Sequence, residues 1–120
     1  MIAGRASCCL GIDIGGANIK YADSSGRTHA VEFPLWLKPD KLAEQLQSDL
    51  QQFADCDSVA VTMTGELADC FLDRREGVCR IVDSLEQACE SCGLPRASVY
   101  GVDAQFYDPQ QAREKVDLVA

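Results

Sequence analysis

The sequence predicts an α/β domain with a mixed sheet, in which three antiparallel strands are followed by strands that return through helices. Three observations predict this class. Short apolar runs come first, turns rich in glycine and serine separate them, and from about residue 39 apolar residues recur at helical spacing between further strands. The chain has 120 residues, enough for one domain, and is 47% hydrophobic and 25% charged, as folded domains are.

The first third of the chain is expected to form a meander of three strands at residues 8–14, 17–22 and 28–33. In the first strand every second residue is apolar, so Asp13 lies on the face opposite Ile12 and Ile14. Pro34 then stops the third strand.

Two long amphipathic helices and a shorter one are expected at residues 39–53, 74–92 and 109–116, alternating with short strands at 58–64 and 97–103. Asp73 with Glu76 three residues later is a capping-box pattern, and Asp108 before Pro109 marks the start of the last helix. The order predicts a five-stranded sheet with helices packed on it.

Charge and cysteine content limit the partners and the compartment. Lys and Arg number 11 against 19 Asp and Glu, a net charge of -8, which argues against nucleic acid or an anionic membrane as the main partner. No apolar run approaches the ~20 residues of a membrane span, and the run from Ala6 after Arg5 is too short for a secretory leader. Seven cysteines, an odd number, indicate reduced thiols, so we expect a cytoplasmic protein.

The motif "DIGGANIK" is the strongest chemical signal. A turn rich in glycine lets consecutive backbone N–H groups converge on one anion, and Asp13 beside it is placed to hold Mg²⁺. Asn18 and Lys20 share a strand face and could hydrogen-bond the same phosphate ligand. A glycine pair is also common in hairpin turns that bind nothing, so the spacing leaves both readings open.

"GIDIGGANIK" resembles the first phosphate motif of the acetate and sugar kinase, heat-shock chaperone and actin (ASKHA) superfamily, whose ribonuclease-H-like lobes begin with this meander. With "PLW" and "VAVTMTGELADCF", the chain is more closely similar to hydantoinase-A-like proteins linked to tetrahydromethanopterin and methanofuran biosynthesis in one-carbon metabolism. The likeness runs from about Gly11 to Ala120.

The resemblance implies that phosphate and metal are faced by Asp13, Gly15, Gly16, Ala17 and Asn18. The implied ligands are Mg²⁺ and either ATP or a diphosphate substrate. Many superfamily members carry threonine where this chain has Asn18, which leaves ATP hydrolysis open.

Thr64, Gly65 and Glu66 fall where kinases of this superfamily begin their substrate loop. Their position just past the fourth strand agrees, since the ligand crevice of an α/β sheet lies beyond the carboxyl ends of its strands. Glu66 could serve as a general base or a second metal ligand. The alternative is a charge near a helix N-terminus, stabilising by ~0.5 kcal/mol.

The expected function is that of an N-terminal lobe, residues 1–120, truncated from a two-lobe, phosphate- and Mg²⁺-dependent transferase or kinase-like enzyme. Methanofuran-linked relatives are associated with joining an amine to a furan-methyl diphosphate. The second phosphate motif and the adenosine site belong to the missing C-terminal lobe, so little activity is expected alone. The alternative is a free-standing protein-interaction module, and in either case an uncovered sheet surface could support a homodimer.

Four other features are assigned structural or secondary roles. Cys89 and Cys92 form a C-x-x-C pair on the apolar stripe of a predicted helix, which favours core packing over zinc or redox chemistry. His29, the one histidine, is interpreted as structural. Asp103 and Asp108 are secondary candidates for the ligand crevice, with a helix cap the favoured role of Asp108.

Overall fold

A computed structural model describes residues 7–120 as a sheet with helices packed against it. Its strands are β1 Cys9–Ile14, β2 Asn18–Asp23, β3 Thr28–Glu32, β4 Ser58–Met63, β5 Ala97–Tyr100 and β6 Phe106–Tyr107. Its α-helices are α1 Leu42–Leu50, α2 Arg74–Ser91 and α3 Pro109–Glu114, and short 3-10 turns lie at Pro39–Lys41, Gln51–Phe53, Gly65–Leu67 and Val116–Leu118. Arg5 and Ala6, on which the judgement about a leader depended, lie outside the described residues.

The sheet has the order β3-β2-β1-β4-β5-β6. The first three strands pair antiparallel, β1 with β4 and β4 with β5 pair parallel, and β6 returns antiparallel to β5. The predicted α/β class, with a meander followed by helix-linked parallel strands, is therefore confirmed. In this part of the chain the sheet has six strands where five were expected.

The extra strand arises where the sequence indicated one straight strand over 97–103. The chain instead turns after Tyr100. The Gly101 N–H donates to the Gln105 carbonyl at 2.8 Å, and Ala104 adopts a left-handed φ of 63°. The reversed chain then pairs with the end of β5 as β6.

One face of the sheet forms the core and the other is open. Alternation along β1, β2 and β4 buries the apolar residues against the helices, where α1 packs on α2 and α2 packs on α3. The other face, here called the open face, carries exposed or half-buried residues: Gly11, Asp13, Lys20, Ala22, Ala60, Thr62 and Tyr100. Asp13 is thus on the face that the sequence predicted.

The helix ends follow their sequence signals with one difference. The Asp73 carboxylate accepts the Glu76 N–H at 2.8 Å, and Asp108 accepts the Gln111 N–H at 2.8 Å. The reciprocal capping box forms only at Asp108 among the helices of residues 7–120. Cys89 is buried on α2, which confirms its predicted place in the core. No helix within residues 7–120 combines the length and apolar character needed to cross a bilayer.

Candidate functional site

Two loops meet at the edge of the sheet where β1 and β4 end. The Thr64 N–H donates to the Ile14 carbonyl at 2.9 Å, which joins the end of β1 to the loop after β4. A Cβ at Gly65 would lie 2.7 Å from Leu35 Cδ2 and 3.2 Å from the Gly15 oxygen, so a larger residue would have to displace the Leu35 side chain and press on the turn. The structure therefore brings together the 15–18 turn, predicted to bind phosphate, and the loop that begins at Thr64, predicted to contact the substrate.

The turn from Gly15 to Asn18 leaves backbone donors available. The Gly15 N–H donates to the Asn18 carbonyl at 2.9 Å. Within residues 7–120, the N–H groups of Gly16 and Ala17 have no hydrogen-bond acceptor, although both residues are at least partly accessible. Adjacent free amides of this kind are the donors of an anion-binding nest.

The backbone of this turn also differs from the usual two-residue hairpin turns. Types I′ and II′ need a positive φ, but among the glycines of residues 7–120 only Gly26 and Gly93 have one. Its carbonyls are held by the segment after β3, because the Phe33 N–H donates to the Ala17 oxygen at 2.8 Å and the Leu35 N–H to the Gly16 oxygen at 2.9 Å. The sequence did not predict that this segment takes part in the site. The "PLW" motif at residues 34–36 was the only feature that pointed to it.

Asp13 is exposed beside this turn, with Lys20 opposite it on β2 and Thr62 opposite it on β4. Directly opposed side chains of an antiparallel pair such as β1 and β2 have Cβ atoms about 4.5–5.5 Å apart, so one ligand can reach both Asp13 and Lys20. The Thr62 hydroxyl donates to the Ala120 carbonyl at 2.8 Å. Within residues 7–120 no group donates a hydrogen bond to the Asp13 carboxylate, which leaves its oxygens for a cation or solvent.

A concavity of about 380 Å³ continues from Asp13 across the open face. Its floor is formed by small residues, among them Gly11, Ala22 and Ala60. Tyr100 and Phe106 form one wall, with ring centroids 5.3 Å apart in an edge-to-face arrangement. The site is therefore polar at the strand ends and apolar along the sheet.

Glu66 lies under the loop rather than on its surface. It sits in the Gly65–Leu67 turn, is only 4% exposed, and its Oε2 atom has no hydrogen-bond partner within residues 7–120. Burial raises the pKa of the Glu66 carboxyl, and the positive charge of Arg74 offsets part of that shift. Arg74 itself donates to the carbonyls of Val116 and Val119, at 3.1 and 2.6 Å.

The Glu66→Gln variant is expected to be more stable than the parent at neutral pH, by about 1 kcal/mol. Because the folded protein holds this proton more tightly than the unfolded chain, the unfolding free energy falls as pH rises from the ordinary value of 4.5 through the raised pKa. The variant lacks this loss. Urea unfolding between pH 4 and 8 measures the difference, with the exposed Glu90→Gln on α2 as control. A constant difference across that range would contradict the assignment.

The secondary candidates have other partners. Tyr107 donates a hydrogen bond to Asp103, and Asp108 caps α3. His29 is half-buried, with Nε2 3.5 Å from the buried Asp49 carboxylate and its ring 5.7 Å from that of Tyr21. Across residues 7–120, no hydrogen bond or ion pair joins Asp103, Asp108 or His29 to the 15–18 turn.

A comparison with characterised proteins matches 108 residues, at 38% identity, to (4-{4-[2-(gamma-L-glutamylamino)ethyl]phenoxymethyl}furan-2-yl)methanamine synthase of Methanocaldococcus jannaschii. The match covers 88% of this chain and 31% of that protein. The chain thus spans about a third of the length of this relative.

Among solved structures, the chain is similar to the Aquifex aeolicus member of the Ppx/GppA protein family, with a TM-score of 0.43 and 16% sequence identity. That alignment covers 75% of this chain and 36% of the other. No family model matches the chain.

Proposed function

We propose that this chain is the phosphate- and Mg²⁺-binding lobe of a transferase that builds a furan-methanamine compound in methanofuran biosynthesis. One observation carries the proposal: the free N–H groups of Gly16 and Ala17, the unpaired Asp13 carboxylate and the loop at Thr64 meet at one edge of the sheet. The 38% identity to a furan-methanamine synthase supports the chemical class. The hydantoinase-A part of the resemblance gains no support from it.

The product named for the relative contains a phenoxymethyl ether on a furan ring. Such an ether can form when a phenol oxygen attacks the methylene carbon of a furan-methyl diphosphate. The new C–O bond forms, the bond to diphosphate breaks, and the phenol proton passes to a base. The ether favours an oxygen nucleophile here, where the resemblance implied an amine.

The residues at the site suit this reaction. The Gly16 and Ala17 N–H groups would hold phosphate oxygens as negative charge builds on the leaving group. Asp13 would hold Mg²⁺, which neutralises diphosphate charge when bound. Asn18 and Lys20 would contact the same phosphates from β2.

The acceptor side is assigned to the loop after β4. Thr64 and Gly65 would line the position of the incoming phenol. Glu66 is the proposed proton acceptor, because its raised pKa favours proton exchange closer to neutral pH. Its burial requires the loop to open before the carboxylate contacts the acceptor directly.

Titration of ¹⁵N-labelled protein with magnesium pyrophosphate tests the site. We expect the largest amide shifts at Gly16 and Ala17, saturating with ligand, and smaller shifts at Thr64 and Gly65. Mg²⁺ alone and pyrophosphate alone serve as controls. Absence of saturable shifts at the turn would overturn the proposal. Magnesium ATP in a parallel titration separates a kinase-like site, which would add shifts beyond those of pyrophosphate.

A second candidate function, a protein-interaction module, is favoured by the open face. Its concavity is bordered on one side by two exposed aromatic side chains, Tyr100 at 37% and Phe106 at 56% exposure, and it is uncovered in the single chain. Light scattering after size exclusion measures self-association through it. A dimer dissociated by Phe106→Ser, together with no pyrophosphate binding, would favour this function over the first.

A further inference from the structure

Two cysteines far apart in sequence meet at the opposite end of the sheet from the candidate site. The Sγ atoms of Cys8 and Cys56 lie 2.8 Å apart, although the residues are 48 positions apart. Cys56 is buried, whereas Cys8 is partly accessible. The backbone fixes the pair, because the Cys8 N–H donates to the Asp57 carboxylate at 2.9 Å and the Asp57 N–H donates to the Cys8 carbonyl at 2.7 Å.

Asp23 lies beside the two thiols, and the three side chains together could be read as a metal site. The contacts of Asp23 argue against that reading. Its Oδ2 accepts Arg27 Nε at 2.6 Å, and its Oδ1 accepts the Ser25 hydroxyl at 2.7 Å and the N–H groups of Ser25 and Arg27. Arg27 Nη2 also lies 3.8 Å from each sulfur, so a fixed positive charge already occupies the place where a cation would bind.

We propose that Cys8 and Cys56 are a modification site, an intramolecular disulfide that forms by exchange with a low-molecular-weight disulfide and is reversed by thiols. A shift of less than about 1 Å brings the sulfurs to the S–S bond length of about 2.04 Å. Arg27 Nη2, 3.8 Å from each sulfur, is placed to donate to whichever sulfur carries negative charge as exchange proceeds.

The order of the two steps follows from accessibility. Cys8 loses its proton and attacks one sulfur of the small disulfide, whose S–S bond breaks and releases one small thiol. Cys56 then loses its proton and attacks the Cys8 sulfur, which forms the protein disulfide and releases the second small thiol. The two protein thiols are oxidised and the small disulfide is reduced to two thiols.

The pKa of Cys56 is consistent with its acting second. Burial, the hydrogen bond and charge of Cys8 and the negative charge of Asp23 together raise that pKa to about 12, and the positive charge of Arg27 offsets part of the shift. The contribution from Cys8 is lost once Cys8 carries a mixed disulfide, so Cys56 loses its proton more easily at that stage.

The cross-link would join the residues just before β1 and β4 and enclose β1, β2, β3 and α1 in one covalent loop. Closing a loop of this length constrains the unfolded chain strongly. We therefore expect the melting temperature to rise by about 10 °C on oxidation.

The test equilibrates the full chain with oxidised glutathione, alkylates the free thiols and identifies cross-linked tryptic peptides by mass spectrometry. Trypsin leaves Cys9 with Cys8 and Cys70 with Cys56, so the assignment uses a Cys9→Ser, Cys70→Ser background. We expect a Cys8–Cys56 cross-link that reductant removes, together with the rise in melting temperature.

Adding Cys8→Ser to that background should abolish both effects, while Cys79→Ser, half-buried on α2, should leave them in place. Three results would overturn the proposal: full alkylation of Cys8 and Cys56 after oxidation, a cross-link that joins Cys8 or Cys56 to another cysteine instead of to each other, or protection of the reduced pair by Zn²⁺ at micromolar concentration. The alkylation measurement needs no substitution at Cys8 or Cys56, so it remains valid even if the Cys8→Ser variant does not fold.

Discussion

Replacing Asp13 by asparagine is expected to weaken the binding of magnesium pyrophosphate by about 10- to 100-fold and to leave the fold unchanged. The carboxylate is exposed and, within residues 7–120, accepts no hydrogen bond, so the substitution removes charge without breaking a structural contact. Calorimetric titration measures the affinity, and thermal unfolding confirms the fold.

Asp117→Asn is the matched control, because Asp117 is exposed in the Val116–Leu118 turn. It should bind like the parent. Unchanged affinity in Asp13→Asn would remove the metal role of Asp13, while shifts at Gly16 and Ala17 would still report the phosphate turn. The two parts of the proposed site can therefore fail separately.

Gly77→Ala is expected to destabilise the domain by about 3 kcal/mol. Alanine in a helix normally stabilises it over glycine by about 1 kcal/mol. Here a Cβ at position 77 would lie 2.4 Å from the Glu66 carbonyl oxygen and 2.7 Å from Glu66 Cα, so α2 or the Gly65–Leu67 turn must move. Urea unfolding measures the loss, and pyrophosphate affinity should fall with it because the displaced turn borders the site.

Ser91→Ala, exposed in the last turn of the same helix, provides the comparison. It ends with the same alanine side chain at an exposed position, and its stability should stay within about 0.5 kcal/mol of the parent. A Gly77→Ala variant as stable as this control would show that α2 and the backbone of Glu66 are farther apart than the distances above.

The strands were predictable where one face is buried. Alternation of period two in residues 8–14 was enough to place Asp13 opposite Ile12, because a shift of one residue would put every apolar side chain in water. The cap at Asp108 was predictable because it depends on local residues alone. The two-residue β6 was missed because so short a strand has no periodicity to detect.

The candidate site was predictable in position more than in detail. The meeting of the 15–18 turn with Thr64 follows from parallel pairing of β1 and β4, which aligns their carboxyl ends. The free amides of Gly16 and Ala17 could not be read from the sequence, since an ordinary hairpin fits the same residues. Burial of Glu66 depends on how α2 crosses the loop, and such tertiary packing leaves no local signature.

The hydrogen bonds from Phe33 and Leu35 to the carbonyls of the glycine-rich turn have a consequence for affinity. They fix the carbonyl groups of the turn before any ligand arrives, so ligand binding would immobilise few additional backbone dihedrals. Conformational entropy that a flexible phosphate loop loses on association is here already lost during folding. A variant that loosens the segment after β3 should accordingly bind with a more unfavourable entropy, even with every phosphate contact intact.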